Sequence, residues 1–356
     1  ARSVAIQSSS EPLERIVESL PAFCTDNRDV AFALGAVARR QGNLQEAVRW
    51  YRAAAKGEDC LPDIKAALAH AQLELIQDSP DSPLQLAQVT DDLQGSLKEI
   101  EALLTDAWTA MTEDDARRSR ISWVINRGVV RRLLGNPSEA QVDFEEALEL
   151  TPRHPVATYL CATIAFESGD TEKALAMART IESFDDVPAS PLFVADLLLV
   201  SKGPDDALTY LEASLKRGLP PQVQHAAQLM LVEAHQRRGD LDSASSLCNP
   251  LLAESASDVR VLVTASQIHR ARGEADVADT LLAKAMRCVS SSIRLTHGVV
   301  LADELYSLKR FDDAASIYER VVRPELDTPL TRRYLNACYQ AGRLDKALEV
   351  CERLRE

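Results

Sequence analysis

ISWVINRGVVRRLLGNPSEAQVDFEEALELTPRH, residues 121–154, is the stretch that decides how this chain folds. Its apolar residues recur at helical spacing on either side of a break at Gly135-Asn136-Pro137, which reads as two amphipathic helices joined by a tight turn. Gly135 suits the left-handed conformation that ends a first helix, and Asn136 suits the turn and the cap of the second. Ala140 comes five residues after the Gly, Phe144 four later, Ala147 three later, and Pro152 follows. The small Ala lets two antiparallel helices approach closely, and the bulky residue four positions on fills the space between hairpins.

The pattern recurs outward in both directions. Gly42, Ala47, Tyr51, Ala54 matches it, as do Gly169, Ala174, Ala178, Ile181 and Gly239, Ala244, Cys248, Leu251. Gly273, Ala278, Leu282, Ala285 and Gly342, Ala347, Cys351, Leu354 continue the series. Two copies are weaker: Lys309, Ala314, Tyr318, Val321 has lost the Gly, and Ala207, Leu211, Ser214 has its Gly203 shifted by one. From Ala140 onward the key alanines are 34, 33, 37, 34, 36 and 33 residues apart. No single hairpin can bury its apolar face alone, so neighbours must stack.

A period near 34 with a mid-repeat Gly and Ala resembles the tetratricopeptide repeat, and the resemblance covers residues 28–61 and 121–356. It implies an all-α fold, a right-handed α-solenoid of about nine antiparallel helical hairpins wound into a superhelix, with the first helix of each hairpin lining the concave surface. Residues 1–27 are expected to form a segment with a short capping helix, 11–24, that places Leu13, Ile16, Val17 and Leu20 on one face. Residues 62–120 depart from the period and read as one divergent hairpin with elongated helices. One helix is expected from Pro62 to Gln77, a break at DSPDSP (78–83), a long helix from Leu84 to Met111, and a capping-box variant at Thr112–Asp115. The last repeat, 328–356, barely completes its second helix and begins to look truncated. With the missing initiator Met, this suggests a piece of a longer protein, and an array cut there would expose apolar faces that invite self-association.

Composition agrees with a repeat array. The 356 residues exceed what one globular core usually organises, 46% are hydrophobic, and aromatics are only 5%. The formal net charge of −14 argues against a general nucleic-acid binder, which needs a positive field. Seven cysteines with no CxxC fit no zinc motif, and most fall inside apolar helical pattern, which points to a reducing, cytoplasmic setting. No stretch of 18 apolar residues suggests a membrane span.

No phosphate loop, GxSxG, HExxH or GxGxxG is present, so no catalytic, metal or cofactor residues are assigned and the chain is read as a non-enzyme. His235 and His269, 34 residues apart, fall at equivalent places in adjacent repeats and are weighed as a metal or pH-sensing pair against ordinary packing. Arginines cluster late in the first helices. By the resemblance, Arg39, Arg40, Arg132, Arg237 and Arg270 should project into the groove, where forked guanidinium groups hold carboxylates or phosphates. The competing reading is that they only complement helix C-termini. The same resemblance points Tyr159, Phe166, Leu192, Leu229, Val263, Tyr306, Arg332, Asn336 and Tyr339 to that surface. The function expected is a scaffold that binds a protein or peptide, acidic in character, along the groove. The alternatives are the arm of a larger transferase or nuclease and, less favoured, nucleic-acid binding through the arginines.

Overall fold

The computed structural model describes residues 15, 27–57, 60–77, 91–181, 186–289, 295–322 and 329–353. All regular structure among them is helical. The chain divides into two compact units, residues 1–169 and 170–356. The first holds α1 (Arg28–Arg40), α2 (Leu44–Ala54), α3 (Pro62–Gln77), α4 (Asp91–Thr109), α5 (Asp114–Ser119), α6 (Ile121–Leu133), α7 (Pro137–Leu150) and α8 (Pro155–Glu167). The second holds α9 (Thr171–Ala178), α10 (Ser190–Ser201), α11 (Pro204–Arg217), α12 (Pro221–Arg238), α13 (Leu241–Glu254) and α14 (Val259–Ala271). It continues with α15 (Ala275–Val289), α16 (Leu295–Ser307), α17 (Phe311–Val321), α18 (Pro329–Gln340) and α19 (Leu344–Arg353).

Within each unit the helices pair as consecutive hairpins, and each hairpin packs on the next. In the second unit the first helices α10, α12, α14 and α16 also touch one another in sequence. This is the helical repeat array expected from the 34-residue period.

Turn chemistry sets the hairpins. Gly239 closes α12 at φ 85°, with its N–H donating to Gln236 O and the N–H of Asp240 donating to His235 O. Asp240 then caps α13 by accepting from the Ser243 N–H at 3.1 Å. Asn43 and Asp170 cap α2 and α9 in the same way, whereas Asn136 makes no side-chain cap bond. Lys309, which replaces the Gly in its repeat, is forced into the same left-handed turn at φ 60° and keeps the same two bonds, to Tyr306 O and from Arg310 N–H to Leu305 O.

Close approach inside a hairpin depends on the first helix having no side chain at the crossing. A Cβ built on Gly128 of α6 would stand 2.5 Å from the ring of Phe144 on α7, and one on Gly35 of α1 would stand 2.6 Å from Tyr51 on α2. Both rings are buried, and the recurrent alanines Ala47, Ala140, Ala244 and Ala314 are fully covered. The cores between hairpins are assembled from these positions. Leu34, Val37, Ala47 and Tyr51 close over Leu68 and Ala71 of α3. Leu282, Ala285, Ala314 and Tyr318 form part of a larger cluster that reaches Tyr334 and Val350.

α3 spans Pro62–Gln77 as anticipated, and the long helix is observed as α4 from Asp91 to Thr109. Residues 78–90 and the 11–24 helix, residue 15 apart, lie outside the described residues. The cap of α5 falls one residue past Thr112, where the capping box expected over 112–115 begins. The cap residue of α5 is Glu113, whose side chain makes no cap bond, and Arg117 Nε donates to Met111 O at 3.0 Å. An ion network binds α4 to the regular repeat. The carboxylate of Asp143, fully buried on α7, accepts from Arg127 Nη2 at 2.6 Å and from Arg131 Nη1 at 2.9 Å, while Arg131 Nε reaches Glu101 of α4 at 2.9 Å. Burial raises the Asp143 carboxyl above its ordinary value, and both arginines oppose that shift. Trp108 Nε1 of α4 donates to Glu146 Oε1 at 3.0 Å, closing the network.

Two substitutions test this account by urea unfolding. Gly128→Ala, although Ala is the better helix former by about 1 kcal/mol, is expected to destabilise the protein by about 1–3 kcal/mol through the clash with Phe144. Lys309→Gly is expected to stabilise it by about 0.5–1 kcal/mol, the left-handed strain relieved less the entropy of a new glycine.

Candidate functional site

In the first unit two of the arginines expected at the groove, Arg39 and Arg132, are held by acids one repeat further on. Arg39 of α1 forms a fork with Glu74 of α3, with contacts of 2.9 and 2.5 Å across 35 residues of sequence. Arg132 of α6 reaches Glu167 of α8 at 3.3 Å and Thr163 Oγ1 at 3.3 Å. This brings Arg132 onto the face of α8 that also carries Tyr159 and Phe166, since 159, 163, 166 and 167 fall on one side of a helix. Phe166 is 37% exposed and Tyr159 is half-buried. Arg40 is exposed at the end of α1.

Beside the Arg39–Glu74 pair lies His70 of α3, whose Nε2 is buried without a hydrogen-bond partner. Desolvation and the positive charge of Arg39 push its pKa down to about 4, with Glu74 opposing.

In the second unit the placements diverge. Arg237 is exposed on α12 and lies near both Asp196 of α10 and Glu233 of its own helix. Arg270 instead turns toward the second helix of its hairpin and pairs with Asp279 of α15 at 2.8 Å. Tyr306 packs edge-on against Phe311 at 5.2 Å between ring centroids and is half-buried. Arg332, Asn336 and Tyr339 stand exposed along one face of α18, Tyr339 at 66%. Leu192 is half-buried on α10. Leu229 and Val263 are corrections: each is 1% exposed and belongs to the core between hairpins, because both fall on the side of their helix that meets the next hairpin. His235 and His269 do not form a pair. His235 Nδ1 lies 3.1 Å from Arg238 Nη2 and 3.3 Å from Asp240, and His269 Nδ1 lies 2.5 Å from Glu274, so each imidazole is engaged within its own turn.

Several polar residues on the first helices carry no signal in a window of a dozen residues. Glu233 of α12 meets Arg260 of α14 at 3.5 Å. Gln236 of α12 donates to Gln267 of α14 at 3.5 Å, and Gln267 donates to Glu304 of α16 at 2.6 Å. Burial raises the carboxyl pKa values of Asp196 and Glu233, against the pull of Arg237 and Arg260. A search for Arg with an acid one period later would have found the Arg39–Glu74 and Arg132–Glu167 pairs. The Gln267 bridge has no such mark.

Tetratricopeptide repeat models match residues 132–190, and residues 18–63, 195–259 and 299–356. The chain belongs to the tetratricopeptide repeat family. No curated protein matches the sequence. Among solved structures, the chain is similar to a tetratricopeptide repeat protein from Parabacteroides merdae, with a TM-score of 0.54 and 17% identity over 76% of this chain and 98% of the other. It is also similar to yeast Tom70, with a TM-score of 0.55 and 12% identity over 96% of this chain and 80% of the other. At these identities the likeness is one of fold. No helix among the described residues is long and apolar enough to cross a membrane.

The shift of His70 has a pH consequence. Its folded value of about 4 lies below the unfolded value of about 6.5, so the unfolded chain binds the extra proton between those limits. Stability contributed by the neutral ring is therefore present above pH ~6.5 and is lost as pH falls toward ~4, by roughly 2–3 kcal/mol. Urea titrations across that range should show the His70→Gln variant losing this part of the pH dependence while wild type keeps it.

Proposed function

We propose that this tetratricopeptide repeat protein is a non-catalytic scaffold that binds a peptide or a protein domain in the groove its first helices would line. The observation that carries this reading is the division of labour between helix faces. Apolar side chains from both helices of a hairpin go to the core, while the remaining face of the first helices carries half-exposed polar and aromatic groups connected from one first helix to the next. Aromatic and arginine side chains on a rigid helical surface are the usual anchors of protein recognition.

The ion pairs bear on the ligand's charge. Arg39 and Arg132 are neutralised by Glu74 and Glu167, so an acidic ligand would have to displace those carboxylates to use the arginines. The same pairing counts against a phosphate backbone as ligand, which needs free positive charge. The cytoplasm is the compartment this reading fits, because the buried thiols of Cys161, Cys248 and Cys338 act as small apolar groups of the core. Burial pushes the Cys248 thiol up to about 11, which keeps it unreactive.

Affinity capture with quantitative mass spectrometry tests the reading. Phe166→Asp combined with Tyr339→Asp alters exposed first-helix positions, and Val142→Asp alters a second-helix position that is 61% exposed. The scaffold reading expects partners to be lost by the first variant and kept by the second, with both folded by circular dichroism. Loss confined to Val142→Asp would place binding on the second helices and contradict it.

A further inference from the structure

Four consecutive first helices of the second unit, α10, α12, α14 and α16, carry one polar seam. At its centre Gln267 of α14 bridges its neighbours, with Nε2 donating to Glu304 Oε2 at 2.6 Å and Oε1 accepting from Gln236 Nε2 at 3.5 Å. Chemistry fixes these directions. An ionised carboxylate offers no hydrogen, so Gln267 must turn its amide nitrogen to Glu304, its oxygen then faces Gln236, and Gln236 must donate. One N–H of each glutamine is spent along the seam, and the second oxygen of Glu304 and the amide oxygen of Gln236 remain as acceptors beside the second N–H of each amide.

Glu304 is 8% exposed, and among the described residues its side chain has Gln267 as partner and no cation. Other covered acids are answered differently. Asp143 has Arg127 and Arg131, and Glu233 has Arg260. Asp303, next to Glu304, is held by Arg333 at 2.8 Å and by the Tyr318 hydroxyl. Along the seam Asp196 and Glu233 lie near Arg237 and Arg260, and Asp303 pairs with Arg333, so among the described residues Glu304 is a carboxylate of the seam that no cation pairs. A covered carboxylate without a counter-charge is costly, and a ligand that brings the charge recovers that cost.

We propose that the seam receives a positively charged side chain, Lys or Arg, of an extended peptide, whose ammonium or guanidinium group completes the bonding of Glu304 and Gln236. This deepens the scaffold reading and rests on it, and it assigns this part of the surface a basic partner. Desolvation already holds back ionisation of Asp196 and Glu233 at the other end of the seam, so an incoming cation would favour their charged forms as well.

Fluorescence anisotropy with the full chain provides the test, using labelled short peptides of alternating Gly-Lys and alternating Gly-Glu. Glu304→Gln keeps an acceptor for Gln267 and removes the charge. Asp242→Asn, on α13 and 94% exposed, removes one charge elsewhere and controls for the overall charge of −14. The Lys peptide is expected to bind wild type, to bind Glu304→Gln about tenfold or more weakly, and to bind Asp242→Asn within about twofold of wild type. On wild type, which needs no variant, unlabelled Gly-Glu peptide should fail to compete. Equal affinity of both variants for the Lys peptide, or tighter binding of the Glu peptide, would overturn the proposal. If the Lys peptide does not bind while Phe166→Asp with Tyr339→Asp still abolishes partner capture, the scaffold reading stands and the basic ligand falls.

Discussion

Two helices approach as closely as α6 and α7 do only where one of them carries no side chain at the crossing. Gly128 supplies that gap and Phe144 fills it, and Gly35 with Tyr51 repeats the arrangement in the first hairpin. The buried ring then becomes part of the surface on which the next hairpin stacks, so one local contact fixes both the hairpin and its neighbour. Stability in such arrays is a sum of hairpin and nearest-neighbour terms, which is why small-residue and ring positions recur through the chain while most other positions vary.

The same stacking decides the electrostatics. Placing first helices side by side brings residues about one period apart into contact, and the chain uses this to join Arg39 to Glu74 and Arg132 to Glu167. Exposed pairs of this kind contribute little to stability. They set the charge of the first-helix face, which is mixed where the arginines alone suggest it is positive. The buried network around Asp143 works at another level, anchoring the long α4 helix onto α6 and α7.

Much of the fold was legible because each rule was local. The Gly turn, the cap residue and the small-then-bulky spacing lie within a dozen residues, and even the lost Gly at Lys309 left its turn intact. The helix Pro62–Gln77 was readable from Pro62 and helical periodicity. The cap of the next short helix was not, since it falls at Glu113. The surface was less legible. Which side of a first helix meets the next hairpin turns on rotation by a fraction of a turn, and so Leu229 and Val263 were placed outward when they are core. Arg270 reaches Asp279 on the second helix of its hairpin, a pairing that the repeat spacing does not mark. The Gln236–Gln267–Glu304 seam joins three helices through neutral amides, whose partners no charge pattern reveals.

The central claim is that the first helices carry the binding surface and the second helices support it. Hydrogen–deuterium exchange of the chain with and without a captured partner addresses it most directly. The account predicts that protection on binding falls in peptides from α8, α12, α14, α16 and α18. Protection confined to α7, α11, α13 and α15, with the first helices unchanged, would contradict it.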